Sequence, residues 1–117
     1  MGTFFQPITL MSDNGTSETV EALVDTGSTF STVPAPMLER LGVHPHRTIR
    51  LRLANGQVDE RQIGRVMAQL DGVQEEILCV FGGPGDLPTI GAHTLEAFLL
   101  GVDPDGQRLV PVEGWWV

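Results

Sequence analysis

Ala22-Leu23-Val24-Asp25-Thr26-Gly27-Ser28 is the stretch of this chain best suited to do chemistry. An apolar strand runs directly into a carboxylate, then a small hydroxyl residue, then glycine. An ionised carboxylate at the buried end of a strand is costly unless hydrogen bonds or a partner charge compensate it. Gly27 lets the backbone turn tightly and bring an N–H to the carboxylate, and Thr26 and Ser28 place hydroxyls within local reach. Two readings follow from these residues alone. Either the strand ends in an Asx-type turn and Asp25 is structural, or the loop holds a carboxylate ready to accept a proton from a reacting group.

Other polar clusters point elsewhere. His44-Pro45-His46 sits in a proline-stiffened loop without helical His spacing, and Cys79 is the single cysteine of the sequence. That pattern suits a solvated loop and a lone thiol rather than a metal site, so no metal or other cofactor is expected. No Lys-Ser/Thr pair follows Gly82-Gly83-Pro84-Gly85, which argues against a phosphate loop. Ser28, Ser31 and Thr32 have no evident His and Asp companions for a nucleophilic triad.

The elements that must position Asp25 are mostly strands. Asp13-Asn14-Gly15, Asn55-Gly56, Asp71-Gly72 and Asp105-Gly106 each lie between apolar or alternating stretches, and such sequences tolerate the positive φ of tight hairpins. Strands are predicted near Thr3–Met11, Ser17–Leu23, Ile49–Leu53, Gln57–Leu70, Glu75–Val80 and Leu99–Val112. The run Val66-Met67-Ala68-Gln69-Leu70 leaves its inward face undecided. Two short helices are predicted: Pro36–Leu41, with proline at its start and Gly42 at its stop, and Ala92–Phe98, with Leu95 and Phe98 on one face. The Gly82–Asp86 segment reads as a loop. The fold class is therefore all-β, and one domain is expected over residues 1–117.

Composition narrows the partners. Fifteen acidic against seven basic side chains give a formal net charge of -8, whereas binding nucleic acid requires clustered cations that displace counterions. The one basic cluster, Arg47, Arg50 and Arg52, spreads along an apparent strand and reads as its solvated face. Neither nucleic acid nor an anionic membrane is an expected partner. No apolar run approaches the roughly 20 residues of a membrane span, and no secretion signal opens the sequence. Together with the lone cysteine, these features favour a cytoplasmic protein.

Three segments in order resemble the retropepsin-like aspartic peptidases, single-domain relatives of pepsin that work as homodimers. Ala22–Ser28 is similar to the family's apolar-apolar-Asp-Thr-Gly-Ser/Ala motif. Leu53-Ala54-Asn55-Gly56-Gln57 resembles the flap hairpin that closes over substrate, and Thr89-Ile90-Gly91-Ala92-His93-Thr94-Leu95 the apolar-Gly segment before the C-terminal helix. Val33-Pro34 and Leu41-Gly42 fit the bacterial members. The resemblance spans roughly Thr9 to Val112. It implies an acid-protease fold: a small β-barrel of mainly antiparallel strands, with a flap hairpin and one or two short helices.

The resemblance also implies roles. Asp25 would be the catalytic carboxylate, and Thr26 would hydrogen-bond across the dimer axis. Gly27 would present backbone to carboxylate and substrate, while Ser28 would donate to the outer carboxylate oxygen. Ala54, Asn55 and Gly56 would belong to the substrate-binding flap. The partners implied are a peptide or protein substrate and a second copy of the chain. Physics supplies the reason for the second copy. Two carboxyls about 3 Å apart cannot both ionise and so share a proton, giving one base and one acid. A chain with one Asp-Thr-Gly can furnish that pair only across a two-fold axis.

The viral pattern is not complete. An Asp two residues after the motif's glycine and an Arg after the later apolar-Gly pair are replaced here by Thr29 and Ala92, so that ion pair is absent as a unit. Trp115-Trp116-Val117 has two readings: core packing for at least one of the indoles, or an apolar terminal strand buried in a dimer interface. Two alternatives to a peptidase remain: a dimer of the same fold that holds peptide without cutting it, and a monomeric β domain with a structural Asp25.

Overall fold

Alternation of apolar and polar side chains organises most of the chain into strands. The computed structural model describes residues 4–103 and 105–114. Strands β1 (Phe5–Met11), β2 (Ser17–Val24) and β3 (Ser31–Pro34) come first, followed by the one-and-a-half-turn helix α1 (Ala35–Arg40). Then come β4 (Arg47–Arg52), β5 (Val58–Leu70), β6 (Val73–Gly82) and the two-residue β7 (Thr89–Ile90). Helix α2 (Ala92–Ala97) leads to the terminal hairpin β8 (Leu100–Asp103) and β9 (Arg108–Pro111).

The main sheet runs β1-β2-β7-β3-β6-β5-β4, and β8 and β9 form a separate pair. Thr9–Met11 of β1 also pairs with Met67–Gln69 of β5, so the hydrogen-bonded path returns to its start. Only the β2–β7 and β3–β6 pairings are parallel among the described residues. The expected class, all-β and mainly antiparallel with two short helices, matches this architecture.

Register explains the core. In β5, Val66, Ala68 and Leu70 point inward while Met67 and Gln69 face outward, which settles the face the sequence leaves undecided. They meet Ile8 and Leu10 of β1 and Ile77 and Cys79 of β6 in one apolar cluster, capped by Leu38 of α1 and Leu95 of α2. Fully burying a valine, leucine or isoleucine side chain of this cluster contributes about 1.5–3 kcal/mol.

Past Ile63 towards its N-terminal end, β5 leaves this core and pairs with β4 as a hairpin, with Arg52 opposite Val58. The Leu53 N–H donates to the Gln57 carbonyl at 2.7 Å, and the Gly56 N–H to the Leu53 carbonyl at 2.9 Å. Gly56 has φ +88°, a conformation that favours glycine. Asn55 Oδ1 accepts from the Gln57 N–H and fixes the turn.

The expected strand set is refined and extended. Within Leu99–Val112 the chain forms two strands, β8 and β9, on either side of the Asp105-Gly106 turn that the sequence marks; Leu99 and Gln107, both in the left-handed region, lie outside them. Strands β3 and β7 were absent from the expected set. Thr3 and Trp115-Trp116-Val117 lie outside the described residues.

Candidate active site

Asp25 is the first residue past β2, and its position follows from the strand's neighbours. Val24 is buried and ends the run. The Asp25 N–H still donates to the Ile90 carbonyl of β7 at 3.0 Å, the last rung before the chain turns. The Ser28 N–H returns to the Asp25 carbonyl at 3.1 Å and closes the turn over Thr26 and Gly27. The half-buried carboxylate is satisfied locally: Oδ1 accepts the Gly27 N–H at 3.0 Å, and Oδ2 accepts the Ser28 Oγ–H at 3.2 Å. The compensation that the apolar strand demands is therefore supplied by the very residues following it.

The rest of the loop is clamped from the side. Strand β7 lies between β2 and β3, pairing Val24 with Ile90 and Thr32 with Thr89. The chain leaves β2 on one flank of β7, passes through residues 25–30, and returns into β3 on the other. The first turn of α2 grips that loop: Ala92 N–H donates to the Ser28 carbonyl at 2.7 Å, and His93 N–H to the Thr29 carbonyl at 2.9 Å. Below it, the buried hydroxyls of Ser31 and Thr94 share a hydrogen bond of 2.6 Å, and the Gly91 N–H donates to Ser31 Oγ at 3.1 Å. Phe30 and His93 meet edge to face, with ring centroids 5.8 Å apart. The segments that viral members join through an Asp–Arg pair are joined here through backbone hydrogen bonds at Thr29 and Ala92.

Asp25, Gly27 and Ser28 form one side of a cavity of about 830 Å³. Leu51, Leu53 and Ala54 of the β4–β5 hairpin and its tip form another side, with Thr32 and Val80 between them. Arg50 and Arg52, read from the sequence as a solvated strand face, also line the cavity, and both are exposed. Of the expected residues, the structure brings Asp25, Gly27, Ser28 and Ala54 to this cavity. Thr26 is exposed at the loop's tip, and Asn55 and Gly56 form the turn just beyond Ala54.

Sequence reasoning missed Thr32, Leu51 and Val80 as wall residues and named Leu53 only within the flap segment. The Leu51/Leu53 alternation was visible, but nothing in it tells which strand face meets Asp25. It also missed a charge cluster. Arg61 Nε and Nη2 both reach Asp59 Oδ2, at 3.0 and 2.9 Å, and Nη1 reaches Asp86 Oδ2 at 2.7 Å. The Gly83 N–H holds the Asp86 carboxyl below the usual carboxylate range; Arg61 adds to this, against an opposing desolvation. Burial alone pushes the Cys79 thiol up to about 12. No group of three or more His, Cys, Asp or Glu among the described residues is arranged to hold a metal ion.

The family model for aspartyl protease matches residues 7–103, a span containing Asp25, the β4–β5 hairpin and α2. No curated protein matches the chain. Among solved structures, the simian foamy virus (mac) protease in solution is similar, with 16% sequence identity and a TM-score of 0.57, over 80% of this chain and 92% of that one. At that identity the likeness speaks for the fold. With the family match it settles the class: the chain belongs to the aspartyl protease family, peptidases of retropepsin-like fold.

Proposed function

We propose that the protein is an endopeptidase that works as a homodimer, with Asp25 of two copies forming the acid–base pair. The observation that carries this reading is the local cradle of Asp25. Its two oxygens are held by Gly27 and Ser28, while the carboxylate lies on the wall of a cavity roofed by a hairpin. A merely structural aspartate has no need of the cavity.

Hydrolysis then follows from shared protonation. The ionised Asp25 takes a proton from a water held between the two carboxyls. The water oxygen attacks the scissile carbonyl carbon, and the protonated Asp25 of the second copy gives its proton to the carbonyl oxygen. The gem-diol collapses as a proton passes to the amide nitrogen and the C–N bond breaks, releasing an acid and an amine. Thr26 braces the two loops across the axis, and Gly27 offers backbone to the substrate. Ala54, Asn55 and Gly56, at the tip of the β4–β5 hairpin, act as the flap over a bound peptide or protein. The hairpin's placement across the cavity from Asp25 supports that role.

The same reading treats residues 1–117 as one domain, whose β1–β5 pairing supports a barrel. It places the protein in the cytoplasm; among the described residues no helix is long and apolar enough to cross a membrane. The test is cleavage of an unfolded protein, measured with wild type and Asp25→Asn and with a statine-type inhibitor. Cleavage abolished by both supports the reading. Binding of peptide without cleavage would favour the non-catalytic dimer instead.

A further inference from the structure

A second, smaller cavity of about 180 Å³ adjoins the one that holds Asp25, and Thr32, Leu51, Leu53 and Val80 line both. What differs is its far wall, made of Leu87 and the Asp59–Arg61–Asp86 cluster. Strand register places Asp59 opposite Leu51 on the β4–β5 hairpin. Asp86 comes from the loop after β6, where the Gly83 N–H also donates to its Oδ2 at 2.8 Å.

The cluster is not balanced. Two carboxylates share one guanidinium, leaving a net charge of -1 at the end of a chamber otherwise lined by Thr32, Leu51, Leu53, Val80 and Leu87. Arg61 already directs Nε and Nη2 at Asp59 and Nη1 at Asp86, so its positive charge is engaged. Both carboxyl groups keep access to solvent, with side-chain exposures of 45% for Asp59 and 36% for Asp86. An acidic side chain entering the chamber would meet two carboxylates. A purely apolar one would strip water from three charged groups without replacing it. A long side chain with an aliphatic stem and a cationic head satisfies both parts, its stem against Leu51, Leu53 and Leu87 and its head at the carboxylates.

We propose that this chamber is a substrate subsite selecting a lysine or arginine side chain of a peptide bound across Asp25. The inference rests on the peptidase reading for its location and goes beyond it in naming the side-chain chemistry.

The experiment compares peptides identical except at one residue flanking the cleaved bond, which is lysine, its neutral near-isostere norleucine, or glutamate, with that residue moved through each flanking position in turn. Cleavage is measured as kcat/KM with wild type, Asp86→Asn and Asp59→Asn. Binding is measured in parallel with Asp25→Asn protein. At one position the lysine peptide should exceed norleucine on the order of fivefold, and glutamate should be poorest. The lysine-to-norleucine ratio should shrink in either Asn variant, and in wild type as salt is raised. The salt series needs no variant, so it decides even if a substitution impairs folding. Cleavage with no lysine preference at any position overturns the subsite and leaves the peptidase reading standing. Binding that discriminates lysine without cleavage overturns the peptidase reading and leaves the subsite. Neither cleavage nor discrimination in binding overturns both.

Discussion

Gly91 and Phe30 approach backbone to backbone: a β-carbon on Gly91 would lie 2.5 Å from the Phe30 carbonyl oxygen and 2.8 Å from that of Ser28. Both oxygens belong to the loop that carries Asp25, so neither can swing aside as a flexible side chain would. Gly91→Ala must therefore push the loop away from α2. A loss of about 2–3 kcal/mol is expected, read as a lower urea midpoint at unchanged slope. A change under about 0.5 kcal/mol would mean that the loop is not clamped as described.

Ser31 and Thr94 make a related prediction one layer deeper. Each is 1% exposed, so their hydroxyls have no water to fall back on. Thr94→Val keeps the shape and leaves Ser31 short of a partner, at a cost of about 1–3 kcal/mol. Thr94→Ser restores the hydroxyl and should recover part of that loss. Equal stability of the two variants in chemical denaturation would contradict the role given to the hydrogen bond.

The Asp86 carboxyl gives stability a pH dependence of definite sign. Its folded value is depressed, chiefly by the Gly83 N–H, so its contribution is present above the ordinary carboxylate range and disappears as pH falls through the folded value. Wild type should thus unfold at a higher temperature than Asp86→Asn near pH 6, and the two should converge towards pH ~2. The gap is small because the group is partly exposed and screened by solvent. A gap independent of pH would assign the effect to something other than this charge.

Cys79 is fully buried and its thiol is pushed up to about 12, so almost none is thiolate near neutrality. Iodoacetamide should leave the native protein unlabelled for as long as it stays folded and should label it readily in denaturant. Rapid labelling of the folded protein would show that β6 opens locally.

Much of this arrangement was legible in the sequence, and the exceptions share causes. The run from Ala22 into Asp25 announced a compensated carboxylate because every compensating group lies within three residues. The Asn55-Gly56 turn and both helices were marked by local chemistry. Strand β7 has two residues and β3 four, too short for any period to register. Their role comes from parallel pairing across distant sequence, which local patterns do not encode. Met67 blurred the face of β5 because an exposed apolar residue breaks alternation without breaking the fold. Arg61 and Asp86 stand 25 positions apart, so their ion pair follows only from the hairpin's course over the loop after β6.

The most direct test of the paired carboxylates is a subunit-mixing titration. Wild-type protein at fixed amount is unfolded and refolded together with increasing Asp25→Asn protein, and peptide hydrolysis is measured. If each active unit takes one Asp25 from each of two copies, an equal amount of the variant should cut the rate to about half, and excess should approach zero, as random pairing in a two-fold dimer requires. A rate unmoved by the variant, with hydrolysis retained, would show that a single Asp25 suffices and contradict the account.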